Sequence, residues 1–363
     1  MEADITTEVQ CLVDFPPLMT APVAGHFMQA PGFDLDLQWF EHLARTALTP
    51  APRLRLWQAA NATERLLLPM HEMPRHGWGM RRLHALANYY TSLFASIGDA
   101  NMRDRGLRAI CAQVARTKPA WDVVDLHPMD PGSEDFALLS DALREAGFRV
   151  HRYFCFGNWH LPCAGLSFAD YWSSRPSPLR NTHNRKEKAF LRDGRGRLDI
   201  VRGGGDLDRA IQAYEQVYAA SWKVPEPHPE FIPGLLRLAA ARDWLRLGLA
   251  WYDGKPVAAQ IWLVVNRRAS IYKLAYDERY AALSAGTLLT AHLMKHVLDA
   301  DKVAEVDYLI GDEPYKQDWM AHRRERWGIV AYNARTLRGR LGSVRQTLGE
   351  WRRRRLADQA PPG

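Results

Sequence analysis

This 363-residue sequence has few cysteines, and no two of them stand at the spacing of a metal knuckle or a redox pair. The four are Cys11, Cys111, Cys155 and Cys163. Neither a zinc site nor a disulfide framework is expected from such scattered positions, and no other metal site is predicted. We expect all four to behave as small buried hydrophobic residues.

Long apolar runs are also lacking, because charged residues interrupt each run before it reaches membrane-spanning length. The first ten residues, MEADITTEVQ, have neither the basic nor the apolar region of a signal peptide. No helix-turn-helix, zinc-finger or RNP-like pattern stands out, so no DNA partner is expected. The remaining composition, 47% hydrophobic and 25% charged, is typical of a folded globular protein. These features predict a cytoplasmic location.

The net charge of +7 is unevenly distributed along the chain. Nine basic and three acidic residues lie between Arg175 and Arg202, and eight basic and one acidic residue lie between Arg335 and Arg355. These two patches predict anionic partners, for which phosphate, nucleic acid and acidic lipid headgroups all qualify.

Hydrophobic periodicity and turn residues predict the element order of the second half. The elements are a strand at 197–202, helices at 207–222 and 229–242, strands at 246–252, 257–265 and 269–277, a helix at 286–300, a strand at 303–310, a helix from 312 and a strand at 327–333. The clearest turn is Asp253-Gly254, a strong hairpin signal.

The first half is less regular and predicts a small α/β unit. Residues 1–35 are proline-rich and are either an extended lead-in or a strand. The later elements are a helix at 35–47, a hairpin of 53–59 with 64–70, a strand or helix at 81–94, a helix at 103–117, a strand at 121–129, a helix at 133–146 and a strand at 148–156.

The segment from Lys302 to Met320 carries the most suggestive polar residues. Asp307 lies in an otherwise apolar strand, and a carboxylate there is costly unless it is used or paired. Gly311 ends the strand, and a helix is predicted to open at Asp312. A structural partner for the Asp307 carboxylate remains as plausible as a functional role.

The pattern D-x-x-x-G-D-x-x-Y-K, formed by Asp307, Gly311, Asp312, Tyr315 and Lys316, resembles the signature of FemAB-like, CelD-type acetyltransferases. These are a branch of the GNAT fold linked to cell-envelope and exopolysaccharide synthesis. The order β-α-α-β-β-β-α-β-α-β matches that fold as well. The resemblance is clear over residues 177–333 and thin before Pro162.

The fold class implied is α/β (α+β): a tandem GNAT-like acyl-CoA N-acyltransferase fold with a mixed, mostly antiparallel sheet flanked by helices, the first copy degenerate. The expected domains are a lead-in at 1–35, a degenerate GNAT-like domain at 36–165, a catalytic GNAT domain at 166–334, and a basic C-terminal helix and tail at 335–363. The duplication itself rests on analogy.

The resemblance implies acetyl-CoA as co-substrate, with its pyrophosphate at a helix N-terminus. The segment from Ser284 to Leu289, where the predicted helix opens, resembles the family's S-x-G-x-L-L pattern. The implied donor-binding residues are Tyr276, Ser284, Ala285, Gly286 and Thr287. A serine-capped helix with a glycine for close packing is the structural alternative. The reduced glycine content of the turn also suits an aminoacyl-tRNA donor.

The implied catalytic residues are Asp307, Tyr315 and Lys316. Asp307 is the expected proton acceptor, with a pKa raised by its apolar setting. Tyr315 would return a proton, and Lys316 would hold a phosphate or the developing oxyanion. A salt bridge from Lys316 to Asp307 or Asp312 is the competing interpretation.

Further residues are implied in substrate binding, less sharply. The set is Arg180, Arg185, Lys186, Trp222, Lys223, Gln260, Lys273 and Asp312. The basic residues at 180–186 would meet acceptor phosphates, or would form a solvated helix face. A role for Gln260 is favoured, because an uncharged amide in an apolar strand contributes nothing to solubility if it is buried. Lys273 is expected to face solvent, and Trp222 is expected to lie in the core.

The C-terminal run places an apolar stripe at alternating steps of four and three residues, surrounded by arginines. The stripe consists of Leu337, Leu341, Val344, Leu348 and Trp351. Such a helix docks on its own protein or lies on an anionic membrane. Gly339 and Gly342 are expected to weaken it.

The function expected is acetyl transfer from acetyl-CoA to an amino group of an envelope or exopolysaccharide sugar precursor, such as a lipid-linked saccharide, in the cytoplasm or peripherally on the inner membrane. Two alternatives remain open. One is an aminoacyl-tRNA-dependent peptidoglycan transferase of FemAB type, and the other is a non-catalytic membrane-associated scaffold.

Overall fold

The structure is a computed structural model, and it describes residues 7–15, 32–48, 52–75, 77 and 79–358. Its strands are β1 Glu8–Leu12, β2 Arg53–Ala60, β3 Arg65–Glu72, β4 Arg82–Ala85, β5 Ile97–Gly98, β6 Val123–Met129, β7 Phe148–Pro162, β8 Gly196–Val201, β9 Leu245–Tyr252, β10 Lys255–Val265, β11 Arg268–Tyr276, β12 Glu305–Asp307 and β13 His322–Asn333.

The α-helices are also numbered in chain order. They are α1 Leu37–Thr46, α2 Arg103–Arg116, α3 Glu134–Glu145, α4 Phe168–Ser173, α5 Ser177–Phe190, α6 Leu207–Ala219, α7 Phe231–Ala241, α8 Ala285–Asp299, α9 Lys316–Trp319 and α10 Leu337–Asp358. The order from β8 to β13 follows the predicted one. Short 3₁₀ helices occur at Phe33–Leu35, Ala100–Met102, Arg192–Gly194 and Glu278–Leu283.

The chain forms two compact units whose boundaries differ from the predicted domains. Unit 1 draws on the described residues within 1–30, 34–155 and 325–363, and unit 2 on those within 31–33 and 156–324. The predicted lead-in contributes β1, which pairs with β2, whereas residues 1–6 and 16–31 lie outside the described part.

Within each unit the strand pairing is mixed and mostly antiparallel. The strand order is β1-β2-β3-β4-β6-β13 in unit 1, with β5 on β3, and β7-β12-β11-β10-β9-β8 in unit 2. The last strand of each half of the sequence pairs with a strand of the other half. Ile329 of β13 pairs with Leu126 of β6, and His160 at the end of β7 pairs with Asp307 of β12. The units are therefore not continuous in sequence.

Local sequence explains the two clearest hairpins, both of which were predicted. The side chain of Asn61 turns β2 into β3 by accepting hydrogen bonds from the N–H groups of Thr63 and Glu64 at 2.8 and 2.7 Å. Asp253 and Gly254 turn β9 into β10 with φ angles of 49° and 74°, the left-handed conformation that a two-residue hairpin needs.

Two local predictions were wrong. The strand predicted at 303–310 ends at Asp307, because Leu309 adopts a φ of 54° and turns the chain away. The helix predicted from Asp312 begins only at Lys316 and is four residues long. Of the four cysteines expected to be buried, Cys111 and Cys163 are buried, whereas Cys155 is only partly buried and Cys11 is exposed.

Helix α10 packs on the rest of unit 1 through the face that carries Gly342 and Ser343. Docking on its own protein was expected to use the apolar stripe instead. Gly342 lies in close contact, since a Cβ there would be 2.7 Å from the Tyr332 ring, and Ser343 is buried. The glycines thus form the contact face. Within the described residues, no helix combines the length and the apolar character needed to span a membrane.

Candidate active site

The candidate site of unit 2 opens where β11 and β12 separate. The two strands are parallel neighbours for only three residue pairs, ending at Ser270 and Asp307. Beyond that point β11 continues to Tyr276, whereas the other chain turns at Leu309 and Gly311, which has a φ of 106°. The diverging segments border a cavity of about 480 Å³. The backbone of β11 therefore presents an open edge to a ligand.

The cavity collects residues that are far apart in the sequence. Its walls combine aromatic rings, three lysines and the carboxylate of Glu313. The lining residues are Trp222, Lys223, Gln260, Ile271, Tyr272, Lys273, Leu274, Ala275, Tyr276, Gly286, Thr287, Thr290, Tyr308, Ile310, Glu313, Tyr315, Lys316 and Trp319. Most of the predicted site residues are among them. The predicted residues outside the lining are Asp307, Ser284, Ala285, Arg180, Arg185, Lys186 and Asp312.

Asp307 does not line the cavity, although the next residue, Tyr308, does. Asp307 is the centre of a buried ionic cluster. Its side chain is 0% exposed, and it contacts the guanidinium groups of Arg268 and Arg324. It also accepts hydrogen bonds from the Asn158 amide at 2.5 Å and the Leu309 N–H at 2.7 Å. Burial alone would raise the pKa of Asp307, but the two arginines and these hydrogen bonds hold the pKa well below its usual range. The predicted rise in pKa was therefore wrong.

The start of α8 is open towards the cavity. Ser284 has a φ of 56°, and in the described structure its hydroxyl makes no capping hydrogen bond. A Cβ at Gly286 would lie 3.7 Å from the Tyr276 ring, which is ordinary contact. Ser284 therefore does not cap the helix, and Gly286 is not required for close packing. The structural alternative for this turn, a serine-capped helix with a closely packed glycine, does not apply. The first-turn N–H groups remain available for an anion.

Gln260 anchors this helix to the sheet. Its amide nitrogen donates to the Gly286 carbonyl at 2.9 Å and to the Thr290 hydroxyl at 2.8 Å, and its oxygen accepts from the Trp262 indole at 3.0 Å. The side chain is 2% exposed. These contacts satisfy a buried amide, so Gln260 positions α8 relative to β10.

Lys316 holds the turn between β12 and α9. Its ammonium group donates to the carbonyls of Ile310 and Gly311 at 2.7 and 3.3 Å and pairs with Glu313 at 2.7 Å. These contacts occupy the three N–H donors of a lysine. The partner is neither Asp307 nor Asp312, and the ammonium group has its donors committed to the turn instead of to a phosphate or an oxyanion.

Glu313 and Tyr315 provide an acid–base pair at the cavity wall. Burial and the Glu313 charge raise the pKa of Tyr315 to about 12. Burial would raise the pKa of Glu313, but Lys316 and the nearby Lys223 lower it overall. At neutral pH the phenol is protonated and the carboxylate is ionised, as a proton donor and a proton acceptor require. Sequence reasoning assigned no chemistry to Glu313, because its reach towards the cavity depends on the turn.

The opposite wall corrects two further predictions. Lys273 is not solvent-facing, because it lines the cavity and pairs with Glu226 at 2.5 Å, with both side chains less than a fifth exposed. Trp222 is not a core residue, since it is 48% exposed and its ring lies 4.6 Å from that of Tyr276. Burial, followed by the charge of Lys273, lowers the pKa of Lys223.

The remaining predicted residues lie around the site. Lys186 on α5 donates to the Ala282 carbonyl at 2.5 Å, in the turn before α8. Arg180 donates to the Arg175 carbonyl at 3.1 Å, and Arg185 is exposed. The polar contacts of Asp312 are with Arg323 at 2.7 Å and the Trp159 indole at 2.8 Å. The Arg323 hydrogen bonds lower its pKa.

Comparison with known proteins agrees with this geometry. Residues 177–317 match the family model described as an acetyltransferase (GNAT) domain. No curated protein matches the sequence. Among solved structures, FemX superposes with a TM-score of 0.60 at 9% identity, covering 89% of this chain and 96% of that one.

Two further structures superpose over most of the chain. L-PGS from Bacillus licheniformis has a TM-score of 0.55 at 12% identity and covers 93% of this chain and 98% of that one. The C-terminal domain of a putative lysylphosphatidylglycerol synthetase from Agrobacterium fabrum has a TM-score of 0.54 at 11% identity, with 85% and 90% covered. At such identities the likeness is one of fold. The predicted GNAT-type fold is confirmed, and the CelD-type branch stays a prediction.

Proposed function

Starting from a GNAT-type acetyltransferase domain at residues 177–317, we propose that the protein is an N-acyltransferase that uses acetyl-CoA. The acceptor is an amino group of a cell-envelope or exopolysaccharide sugar precursor, such as a lipid-linked saccharide. One observation carries the proposal: the open edge of β11 and the uncapped start of α8 border one cavity that also contains Glu313 and Tyr315.

Donor binding would use backbone groups more than side chains. The amide groups of the pantetheine arm match the open edge of β11 from Ile271 to Tyr276, as an added strand would. The pyrophosphate suits the first-turn N–H groups at Gly286 and Thr287, where the helix dipole favours an anion. Lys186 places a positive charge beside the turn that leads into this helix.

The side chains at the cavity wall would carry the proton transfers. As the acceptor nitrogen forms its bond to the acyl carbon and the carbon–sulfur bond breaks, Glu313 takes the proton from nitrogen. Tyr315 gives its proton to the departing thiolate. An N–H group on the edge of β11 would polarise the acyl oxygen. Asp307 supports the turn that carries these groups and does not act as the base.

The acceptor would enter on the aromatic side of the cavity. Trp222 and Tyr276 present neighbouring rings, and Trp222 is the more exposed of the two. An aromatic face beside polar groups suits a sugar ring, which has both apolar and hydroxyl-bearing surfaces.

Calorimetric titration with acetyl-CoA tests the donor. We expect micromolar binding by the wild type and its loss in Gly286→Trp, whose Cβ fits without a clash but whose ring would block the helix start. Gly205→Trp is the matched control, because nothing lies within 4 Å of a Cβ at that position. Absence of wild-type binding up to about a millimolar, the upper end of common KM values, would contradict an acetyl-CoA donor.

An aminoacyl-tRNA donor is the second candidate, favoured by the carboxylate of Glu313 at the cavity, which could receive the α-ammonium of an aminoacyl group. The basic residues of α5 would then contact the RNA backbone. This candidate predicts no acetyl-CoA binding and RNA binding that weakens steeply with salt. A protein that binds neither donor would be a non-catalytic scaffold.

A further inference from the structure

Helix α10 is fixed to unit 1 through small and polar residues. A Cβ on Gly342 would lie 2.7 Å from the Tyr332 ring and 2.8 Å from the Met80 methyl group. The Ser343 hydroxyl lies 3.2 Å from the His151 ring, whose other nitrogen lies 3.2 Å from Glu350. These contacts set the rotation of the helix about its own axis.

That rotation turns the apolar stripe outwards. The side chains of the stripe are each 49–74% exposed to solvent. They are Leu337, Leu341, Val344, Leu348 and Trp351. An amphipathic helix of a globular protein normally buries such a stripe against its own core. Five large apolar side chains in one exposed row instead form a continuous apolar surface, which marks an interaction site.

The charge around the stripe has one sign. Arg338, Arg340, Arg345 and Arg352 border it along the helix. Among the described side chains of α10, Glu350 alone is acidic, and it belongs to the inward face, where it pairs with His151. An apolar row bordered by arginines is complementary to a lipid surface with negative headgroups over acyl chains.

We propose that the outward face of α10, defined by the stripe and its bordering arginines, docks on the surface of an anionic lipid bilayer. The proposal goes beyond the acyltransferase function and does not depend on it. A second copy of the chain fits less well, because helices meeting stripe to stripe would bring their arginine borders together. RNA would match the arginines but not the five apolar side chains.

Co-sedimentation of the full chain with vesicles tests the proposal. We expect binding to vesicles containing phosphatidylglycerol, at least about tenfold tighter than to phosphatidylcholine alone. The double variant Leu341→Glu/Leu348→Glu should lose at least about tenfold of that affinity. Val13→Glu is the matched control and should bind as the wild type does. Val13 is exposed and apolar, and it follows β1, which lies at the opposite end of the unit 1 strand order from β13.

A second variant separates charge from apolar contact. Arg345→Glu/Arg352→Glu should lose the preference for anionic vesicles, and wild-type binding should weaken as salt rises. All substituted side chains are exposed, and circular dichroism would check folding. Lack of wild-type binding, full binding by the leucine variant, or a concentration-dependent dimer that the leucine variant abolishes would each overturn the proposal. Acetyl-CoA calorimetry is independent of all three outcomes.

Discussion

The two units arrange corresponding strands in the same way but use the space between them differently. In unit 1, β4 and β6 are parallel over three residue pairs that end at His84 and Asp125. In unit 2, β11 and β12 are parallel over three pairs that end at Ser270 and Asp307. Both pairs then diverge, and in unit 2 the candidate-site cavity lies where they separate.

The chain itself fills the corresponding place in unit 1. After β4, the Phe94 N–H donates to the Pro128 carbonyl, just beyond Asp125 on β6. Phe94 and Tyr90 are almost completely buried, and Phe94 packs edge-to-face on Phe40 at 6.3 Å. The segment after β4 thus packs against the edge of β6 in unit 1, whereas in unit 2 the edge of β11 borders a cavity.

The two aspartates also differ in their partners. Asp125 accepts a hydrogen bond from the Tyr153 hydroxyl at 2.7 Å and lies 3.2 Å from the His127 ring. Asp307 is held by two arginines and an amide. The aspartate of unit 2 is thus bound into an ionic cluster, whereas that of unit 1 belongs to a histidine-rich group.

Substitution of the proposed base, Glu313, or the proposed acid, Tyr315, should lower turnover more than any other change. Such a loss, with an unchanged unit 1 control, would assign catalysis to the cavity of unit 2. We expect Glu313→Gln and Tyr315→Phe each to lower kcat by about 10²–10⁴-fold with acetyl-CoA and an amino-sugar acceptor. Tyr89→Phe, at a tyrosine of unit 1 that is 52% exposed, is the control. Unchanged turnover in both site variants would remove the proposed roles.

The ionic cluster should matter more for stability than its counterpart. Asp307→Asn removes the fully buried carboxylate that Arg268 and Arg324 share and leaves both paired with the partly exposed Glu305. We therefore expect the free energy of unfolding to fall by about 3–5 kcal/mol in urea denaturation. Asp125→Asn alters the hydrogen bonds with Tyr153 and His127 without leaving an arginine unpaired, and it should cost about 1–3 kcal/mol. Equal losses would mean that the two clusters are energetically alike.

The cluster also makes a pH prediction. The pKa of Asp307 is lowered in the folded state, so its stabilisation is present above the unfolded value of about 3.9 and is lost as pH falls towards the folded value. The decline in wild-type stability below that pH should be shallower in Asp307→Asn. A slope unchanged by the substitution would argue against the cluster as its origin.

Unit 1 should respond to acid in a higher pH window. Burial and the neighbouring His84 and His127 lower the pKa of His71 to about 4, from an ordinary 6.5. Because the unfolded chain binds this proton first, stability should fall by up to about 3 kcal/mol between pH 6.5 and 4. His71→Leu should flatten unfolding free energies measured across that window. Similar slopes in wild type and variant would contradict the assignment.

The smallest effect expected concerns the edge of the open cleft. Lys186→Ala removes a positive charge beside the turn before α8 and should weaken acetyl-CoA binding by about three- to tenfold. Lys188→Ala, at an exposed lysine on the same helix, is the matched control. Equal affinities of the two variants in calorimetry would place the phosphates elsewhere.

The local elements and their order follow from short-range features of the sequence. Asp253-Gly254 can hardly be anything but a tight turn, and the apolar periods of β8 to β13 follow from the short-range geometry of strands and helices. The same order predicted the fold class. The resemblance to the acetyltransferase family implied that Gly286, Gln260 and Tyr315 serve one site. In the structure all three line the cavity, and their roles stay predictions.

Tertiary structure alone decided which side chains meet. The pairing of β7 with β12 and of β13 with β6, the pairing of Lys316 with Glu313, and the arginines around Asp307 all join residues that no local pattern relates. The rotation of α10 was likewise set by the close approach of Gly342 to Tyr332, against the usual rule for an apolar stripe. A pKa or an exposed face depends on every neighbour in space, and those neighbours come from distant parts of the chain.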